Sequence, residues 1–195
     1  GLFLPMIPET VAALLAVAKL GAVFLPIFSG YGADAVAIRL ADAGARALVT
    51  ADGFTRRGRT VAMKEIADAA AAQVESVTTV VVVPRLGRAD VPMTPGRDLT
   101  LEQLCAGRAD RFDAVSVPSE HPLFVAYTSG TTGRPKGAVH VHGGFLVKVA
   151  EEVAFQMDLR LRERLFWLTD IGLIMGPWEI VGVLANGGTL VLDDG

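Results

Sequence analysis

The sequence predicts an α/β fold, in which a layered and largely parallel β-sheet is flanked by helices. Short apolar runs typical of buried strands alternate along the chain with longer segments of helical periodicity, as they do in βαβ units. The run at residues 77–83 ends in four consecutive valines, which favours a parallel strand covered on both faces. With 195 residues, 51% of them apolar and 20% charged, the chain is long enough to bury a substantial core.

The first part of the chain contains three predicted strand–helix pairs and a fourth strand. Pro8 and Glu9 suit the first turn of a helix, and Gly21 and Gly44 are placed to end the first two helices. The predicted strands are 2–4, 23–27, 47–50 and 77–83. The predicted helices are the segment between Pro8 and Gly21, 34–43 and 60–72. A loop rich in arginine, at 52–59, precedes the third helix.

The second part begins with a surface excursion at 84–98, which is rich in proline and arginine, and then alternates again between helices and strands. A short helix is predicted at 99–105, with Thr100 as its N-cap. Trp167 is expected to fill the core, since tryptophan does so more often than it lines a site. The predicted strands are 123–126, 164–168 and 189–192. The predicted helices are 144–155 and a segment that ends near Asn186.

Composition and charge argue against several classes of protein. A net charge of −3 and an isoelectric point near 5.6 do not suit a nucleic-acid-binding surface, which is basic. The apolar stretch at 11–28 has the length of a membrane span, but Lys19, Gly21 and Pro26 interrupt it, so we predict a buried helix followed by a strand and no membrane insertion. Cys105 is the only cysteine, which excludes an intrachain disulfide and favours a reducing, cytoplasmic location. Besides this cysteine the chain has only three histidines, so we expect no metal site in it.

The stretch 127–137, Tyr-Thr-Ser-Gly-Thr-Thr-Gly-Arg-Pro-Lys-Gly, carries the strongest functional signal. Its glycines let backbone N–H groups turn toward an anion, its hydroxyls donate further hydrogen bonds, and Lys136 adds a positive charge, so it suits a polyphosphate. A Walker A loop is excluded, because Pro135 occupies the place of its second glycine and Gly137 follows the lysine. The alternative is a flexible linker, which needs neither the lysine nor the apolar run that precedes the loop.

This stretch resembles the signature loop of the adenylate-forming (ANL) enzymes, which comprise acyl-CoA synthetases, luciferases and the adenylation domains of peptide synthetases. Serine, threonine, glycine, proline and lysine all fall in the order of that family. The resemblance extends along almost the whole chain and is closest to the acetyl-CoA synthetase branch. It includes the segments 5–9, 28–31, 50–52, 56–60, 96–99 and 184–187. It implies that the chain is part of the large N-terminal domain of such an enzyme.

The resemblance implies a two-step reaction that uses ATP, Mg²⁺ and coenzyme A. A carboxylate attacks the α-phosphate of ATP, giving an acyl-adenylate and pyrophosphate, and the thiol of coenzyme A then displaces AMP. The loop is assigned to the β- and γ-phosphates, because fixed dipoles and one cation stabilise the charge that grows as pyrophosphate leaves. The implied phosphate contacts are Thr128, Ser129, Gly130, Thr131, Thr132, Gly133 and Lys136. Of these, Thr128 and Lys136 are the candidate catalytic residues.

The resemblance also implies a site for the nucleotide part of coenzyme A. In acetyl-CoA synthetases, arginines at the positions of Arg56 and Arg59 contact it, and the glycine that matches Gly30 lies beside it. A planar guanidinium suits the 3′-phosphate and the diphosphate of coenzyme A, because it can bind two phosphate oxygens at once. The alternative is that these arginines are merely solvated, and for Arg57 we weigh the two interpretations equally.

The resemblance places Ile174 and Met175 against the acyl group, within a stretch that we call the acyl segment, residues 170–178. The chain departs here from acetyl-CoA synthetases, which carry a tryptophan at the position of Leu173 and a threonine at that of Met175. They also carry a histidine and a serine where this chain has a Pro-Trp pair. The differences leave open a short or branched carboxylic acid other than acetate.

The family's later motifs are expected after Gly195. Among them are the acidic residue that helps to hold magnesium and the lysine of the small C-terminal domain. We therefore predict that residues 1–195 are an incomplete N-terminal AMP-binding domain, without the C-terminal lysine-bearing domain and inactive alone. Two alternatives stay open, an adenylating enzyme that loads a carrier protein and a non-catalytic module that binds a nucleotide or coenzyme A. Arg56 and Arg59 argue against the first, because a carrier arm lacks the 3′-phosphate.

Overall fold

The structure is a computed structural model that describes residues 1–128 and 135–194. Its strands are β1 (Leu2–Phe3), β2 (Pro26–Ile27), β3 (Ala47–Ala51), β4 (Phe54–Arg56), β5 (Arg59–Val61), β6 (Thr79–Val83), β7 (Asp98–Thr100), β8 (Pro122–Thr128), β9 (Lys136–Val141), β10 (Arg164–Phe166) and β11 (Thr189–Val191). Its helices are α1 (Pro8–Lys19), α2 (Ala33–Asp42), α3 (Met63–Ala71), α4 (Leu101–Cys105), α5 (His142–Phe155) and α6 (Met175–Ala185).

A parallel sheet with the strand order β2–β1–β3–β6–β7 lies at the centre of the first part of the chain. Strand β6 pairs with β3 along its whole length, with Val81 opposite Val49, and its four valines are buried, as the valine run predicts. The predicted α/β fold with a largely parallel sheet is therefore confirmed. Because parallel strands end at the same edge of a sheet, the segments that follow β1, β2 and β3 come together there.

The two faces of this sheet are covered by different helices. Successive residues of a strand point to opposite faces, and the neighbours Leu2 and Phe3 of β1 accordingly belong to different buried clusters. The first cluster contains Phe3 and apolar residues of α2 and α3. The second contains Leu2 with Phe124 of β8 and apolar residues of α1, α5 and α6. The sheet thus supports a second layer, in which α5 and α6 pack beside the β8–β9 pair.

Several local predictions agree with the structure. Gly21 and Gly44 follow the ends of α1 and α2 with left-handed backbones, at φ of 65° and 61°. Thr100 caps α4 by accepting a hydrogen bond from the backbone N–H of Gln103, whose side chain binds back to Thr100 in a capping box. The stretch 11–28 is divided between α1 and β2, and among the described helices none has the length and apolar character needed to cross a membrane.

Three segments differ from the prediction. Residues 99–100, expected to begin the helix 99–105, belong to β7, which pairs with β6, and α4 therefore begins at Leu101. The arginine-rich segment 52–59, expected to be a loop, contributes to a hairpin of β4 and β5, and α3 consequently begins at Met63 instead of residue 60. Strand β9 has no counterpart among the predicted elements. Its sequence, Lys-Gly-Ala-Val-His-Val, has weak strand propensity, and the strand forms because it pairs with β8.

The excursion at 84–98 lies on the surface, as predicted, but a buried charge cluster anchors it. Lys64 of α3 is fully buried, and its ammonium group donates hydrogen bonds to Asp68 (2.6 Å), Asp98 (2.8 Å) and the carbonyl of Pro92 (2.8 Å). Arg97 pairs with the same two carboxylates. Burial raises the pKa of Asp98, but the hydrogen bonds from Arg97 and Lys64 outweigh it and lower that pKa to about 2.

Candidate functional site

Thr128 and Lys136, the two candidate catalytic residues, are brought together by the antiparallel pairing of β8 with β9. They are direct cross-strand partners at the end of the ladder, and both side chains are exposed. Directly opposed Cβ atoms in such a pair lie about 5 Å apart. The other predicted phosphate contacts lie outside the described residues. They are Ser129, Gly130, Thr131, Thr132 and Gly133.

Tyr127, the residue before Thr128, anchors this hairpin to α2. Its hydroxyl donates a hydrogen bond to Asp42, and the guanidinium carbon of Arg39 lies 5.8 Å from the centroid of its ring. Burial and the bond to Asp42 raise the pKa of Tyr127, so its phenol stays protonated at neutral pH. The same guanidinium lies 4.2 Å from the ring centroid of Tyr31. One buried arginine therefore contacts both the hairpin and the loop that follows β2.

The β4–β5 hairpin places Arg56 and Arg59 directly opposite each other. Between them, Arg57 and Gly58 both have left-handed backbones, with φ of 51° and 72°, as a two-residue type I′ turn requires. Opposed residues of an antiparallel pair project from the same face, so the two guanidinium groups lie on one side of the hairpin. Like charges in this arrangement repel each other, and a nearby anion would relieve the repulsion.

Gly30 lies beside this hairpin, in the loop 28–31, which we call the Gly30 loop. A Cβ atom on Gly30 would come within 2.8 Å of Arg56 Nη1 and within 2.6 Å of the Phe28 ring, so a larger residue would collide with both. The Arg56 guanidinium in turn lies 5.4 Å from the centroid of the Phe28 ring. Gly30, Arg56 and Arg59 line one open cleft of about 750 Å³. The three residues implied for coenzyme A are therefore neighbours.

The cleft carries positive charge that the described part of the chain does not neutralise by ion pairing. Neither Arg57 nor Arg59 forms an ion pair with any residue of 1–128 or 135–194. By contrast, Arg85, Arg88 and Arg97 of the excursion at 84–98 are each paired with a carboxylate. The donors and the charge of this cleft fit a phosphate-bearing ligand.

Ile174 and Met175 lie at the N-terminal end of α6 but have different surroundings. Ile174 is exposed and, together with His140 and Trp178, lines a cleft of about 380 Å³. Met175 is half-buried and packs against the second hydrophobic cluster. Ile174 is thus the member of the pair that faces open space, while Met175 packs against the second cluster.

Trp167 is 39% exposed, which contradicts the expectation that it fills the core. Its ring packs edge to face on that of Trp178, with 5.7 Å between the centroids, and Trp178 is the buried member of the pair. Trp167 directly follows β10, which pairs with β11 alone among the described strands, so one side of the ring has no neighbouring strand to cover it.

Asp170 links the acyl segment to the Gly30 loop, a role that the sequence did not predict. Its carboxylate accepts hydrogen bonds from the backbone and the hydroxyl of Ser29 and from the backbone N–H of Gly172. Burial raises the pKa of Asp170, while these hydrogen bonds and the charge of Arg56 favour its ionised form. No sequence signal could have found this contact, because 141 positions separate Ser29 from Asp170.

The histidines that follow the stretch 127–137 pack against other aromatic rings. The ring of His140 stacks on Phe124, with 4.4 Å between centroids, and burial lowers its pKa. Burial and the neighbouring His121 lower the pKa of His142 as well, which favours the neutral form of both imidazoles. Within 1–128 and 135–194, no group of three or more His, Cys, Asp or Glu side chains is placed to hold a metal ion.

Comparisons with known proteins cover the whole chain. A family model described as AMP-binding enzyme matches residues 1–195. The acetyl-coenzyme A synthetase of Pyrobaculum aerophilum is 45% identical over 100% of this chain and 29% of its own length, and that of Streptomyces avermitilis is 42% identical over 99% and 30%. The solved structure of an acetoacetyl-CoA synthetase from Streptomyces lividans superposes with a TM-score of 0.90 at 34% identity, over 100% of this chain and 29% of that one. The chain thus spans less than a third of the length of these relatives.

Proposed function

Because this chain belongs to the AMP-binding enzyme family, we propose that it is the N-terminal part of an AMP-forming acyl-CoA synthetase. The full-length protein would activate a short carboxylic acid with ATP and pass the acyl group to coenzyme A. We propose coenzyme A because Arg56 and Arg59 form a cross-strand pair beside Gly30. They line a cleft whose positive charge suits phosphate. The reducing cytoplasm, which suits a lone cysteine, is the proposed location.

In the first half-reaction, a carboxylate oxygen bonds to the α-phosphorus of ATP, and the bond to the pyrophosphate oxygen breaks. We assign to Lys136 and Thr128 the β- and γ-phosphates, on which negative charge grows as that bond breaks. Since both residues are strand ends held by the β8–β9 ladder, their dipoles and charge need little reorganisation during the step. Mg²⁺, when bound to ATP, would neutralise part of the phosphate charge.

In the second half-reaction, the thiol of coenzyme A loses its proton to solvent, its sulfur bonds to the acyl carbon, and the bond from that carbon to the AMP oxygen breaks, releasing AMP. We assign to Arg56 and Arg59 the phosphates of the nucleotide part, which a guanidinium can bind through two oxygens at once. Glycine at position 30 leaves room for the Arg56 guanidinium, which a larger residue would displace. A carrier-protein arm keeps a phosphodiester but lacks the 3′-phosphate, and free pantetheine has no phosphate at all, so neither would give both arginines a partner.

We propose that the acid meets the apolar side chain of Ile174 at the start of α6, with Met175 behind it. The two relatives described above are named for acetyl and acetoacetyl groups. At the corresponding segment this chain has Leu173 and Met175, so the proposed substrate class is a short acid, straight or branched, and not acetate specifically.

The test is pyrophosphate release by the full-length protein with a panel of carboxylic acids of two to six carbons. Each acid is assayed without thiol, with coenzyme A and with pantetheine. We expect one or a few short acids to release pyrophosphate, and acyl thioester to form far more efficiently with coenzyme A than with pantetheine. Equal use of the two thiols would favour a carrier-protein enzyme. If none of the acids leads to pyrophosphate release while ATP or coenzyme A still binds, a non-catalytic binding module would be favoured.

A further inference from the structure

Asp170 stands where the two proposed substrate sites meet. On one side is the Gly30 loop, proposed to contact coenzyme A, and on the other is the acyl segment, which leads to Ile174. We propose that Asp170 is a positioning residue that couples the Gly30 loop to the acyl segment, so that coenzyme A bound at the loop orders the segment. This inference rests on the proposed function. Asp170 itself touches neither substrate in this proposal.

The hydrogen bonds of Asp170 form a compact cross-link. Both carboxylate oxygens lie 3.2 Å from the backbone nitrogen of Ser29, one of them also accepts from the Ser29 hydroxyl, and Oδ1 lies 2.8 Å from the backbone nitrogen of Gly172. The residue is only 7% exposed. A buried carboxylate without donors would be strongly destabilising, so each of these hydrogen bonds favours keeping the two segments together.

The backbones on the two sides are in direct contact as well. A Cβ atom on Gly172 would lie 2.0 Å from the backbone nitrogen of Phe28 and 2.3 Å from its Cα, which no side chain could tolerate. Neither segment can therefore move toward the other, and Asp170 prevents them from moving apart. A displacement of the Gly30 loop on ligand binding must be transmitted to Gly172 and the residues that follow it.

Arg56 connects this cross-link to the proposed coenzyme A cleft. Its guanidinium packs on Phe28, the residue that abuts Gly172, and its charge favours the ionised form of Asp170. A phosphate that binds Arg56 would therefore change the packing of Phe28, which precedes Ser29 in the chain. It would also change the charge near the carboxylate of Asp170. These contacts form the proposed path from the ligand to the acyl segment.

The experiment is hydrogen exchange of the full-length protein with and without coenzyme A, combined with steady-state kinetics. In the wild type we expect coenzyme A to slow amide exchange in residues 28–31 and 170–175 together. In Asp170→Asn, whose amide offers one acceptor oxygen instead of two, 28–31 should still respond and 170–175 should not. The KM for coenzyme A should rise roughly tenfold, the effect of one lost charged hydrogen bond, with the KM for ATP unchanged.

Ser29→Ala removes only the hydroxyl donor and should shift both readouts in the same direction by a smaller factor, which keeps the test valid if Asp170→Asn does not fold. Asp113→Asn, at a carboxylate that is 89% exposed, is the matched control and should behave as the wild type. If the wild type makes acyl-CoA but coenzyme A protects 28–31 alone, the coupling is wrong and the proposed function stands. If it makes no acyl-CoA and coenzyme A protects neither segment, the proposed function fails and the coupling fails with it.

Discussion

Thr128 and Lys136 are direct cross-strand partners at the open end of the β8–β9 ladder. If the loop holds polyphosphate as proposed, this pairing would orient its two ends without a helix directly after it. In a Walker A loop, the N-terminus of a helix contributes to anion binding, whereas here the segment re-enters a strand at Lys136. The lysine and the hydroxyl of Thr128 are then oriented by a ladder of hydrogen bonds that Tyr127 ties to α2.

Replacing Lys136 tests the assignment of the phosphate loop. In the full-length protein, we expect Lys136→Ala to slow carboxylate-dependent pyrophosphate exchange by about 10²-fold, because the only lysine of the loop is lost where negative charge grows. Lys19→Ala, at the exposed end of α1, is the control and should leave the exchange rate unchanged. Wild-type exchange by Lys136→Ala would remove this lysine from the proposed site.

Replacing Arg59 tests the coenzyme A cleft separately from ATP. Arg59→Ala should raise the KM for coenzyme A at least tenfold, since a bidentate phosphate contact is lost, and should leave pyrophosphate exchange intact. Arg111→Ala serves as the control, because Arg111 is 86% exposed and pairs only with the exposed Asp113 among the described residues. A selective increase in the KM for ATP would show that the hairpin belongs to the other substrate.

The bond between Tyr127 and Asp42 should contribute to stability and to the position of the loop. We expect Tyr127→Phe, which keeps the ring against Arg39 and loses the hydroxyl, to lower the free energy of unfolding by about 1 kcal/mol. The measurement is urea denaturation of the single variants and of the double variant with Asp42→Asn. Because both changes remove the same bond, the effects should be less than additive, and full additivity would mean that the two side chains do not interact.

The parts of the site that could be predicted are those in which a local pattern specifies the structure. The loop 127–137 has its functional groups within one short segment, and the valine run of β6 needs only its own sequence and the sheet around it. The β4–β5 hairpin also has a local signal, since Arg57-Gly58 lies between Arg56 and Arg59 as a glycine-containing two-residue turn.

The unpredicted parts depend on contacts between distant residues. Tyr127 and Asp42 are 85 positions apart and Ser29 and Asp170 are 141 apart, so neither periodicity nor spacing reveals them. Trp167 shows the same limit for burial. Its apolar character favoured the core, but its exposure depends on which strand lies next to β10, and only the assembled structure supplies that.

The buried charge cluster around Lys64 should be essential for stability. Lys64→Met would leave the fully buried carboxylate of Asp98 without one of its two cationic partners, and we expect a loss of about 3 kcal/mol in urea denaturation. Because the pKa of Asp98 is lowered in the folded state, its contribution is present above the ordinary value of 3.8 and is lost as the pH falls toward 2. Lys19→Met is the matched control, and equal losses in the two variants would contradict a role for burial.

Glu179 should make stability depend on pH in the opposite sense. It is fully buried in α6, Oε1 accepts a hydrogen bond from the backbone nitrogen of Trp167, and Oε2 has no partner among the described residues. Burial raises the pKa of Glu179 from 4.5 to about 7, so the carboxyl group favours folding most while it is protonated. Between those two values the unfolded chain ionises first, and stability should therefore fall as the pH rises from 5 to 7 and change no further above that range.

The variant Glu179→Gln cannot ionise and should lose this part of the pH dependence while keeping an acceptor for the Trp167 nitrogen. The measurement is the urea midpoint of the full-length protein at pH 5 and pH 8, compared with the wild type and with Glu151→Gln, a carboxylate on the exposed side of α5. We expect the wild type and Glu151→Gln to lose more stability than Glu179→Gln between these two pH values. Identical losses in all three proteins would mean that Glu179 is already ionised in the folded state at pH 5.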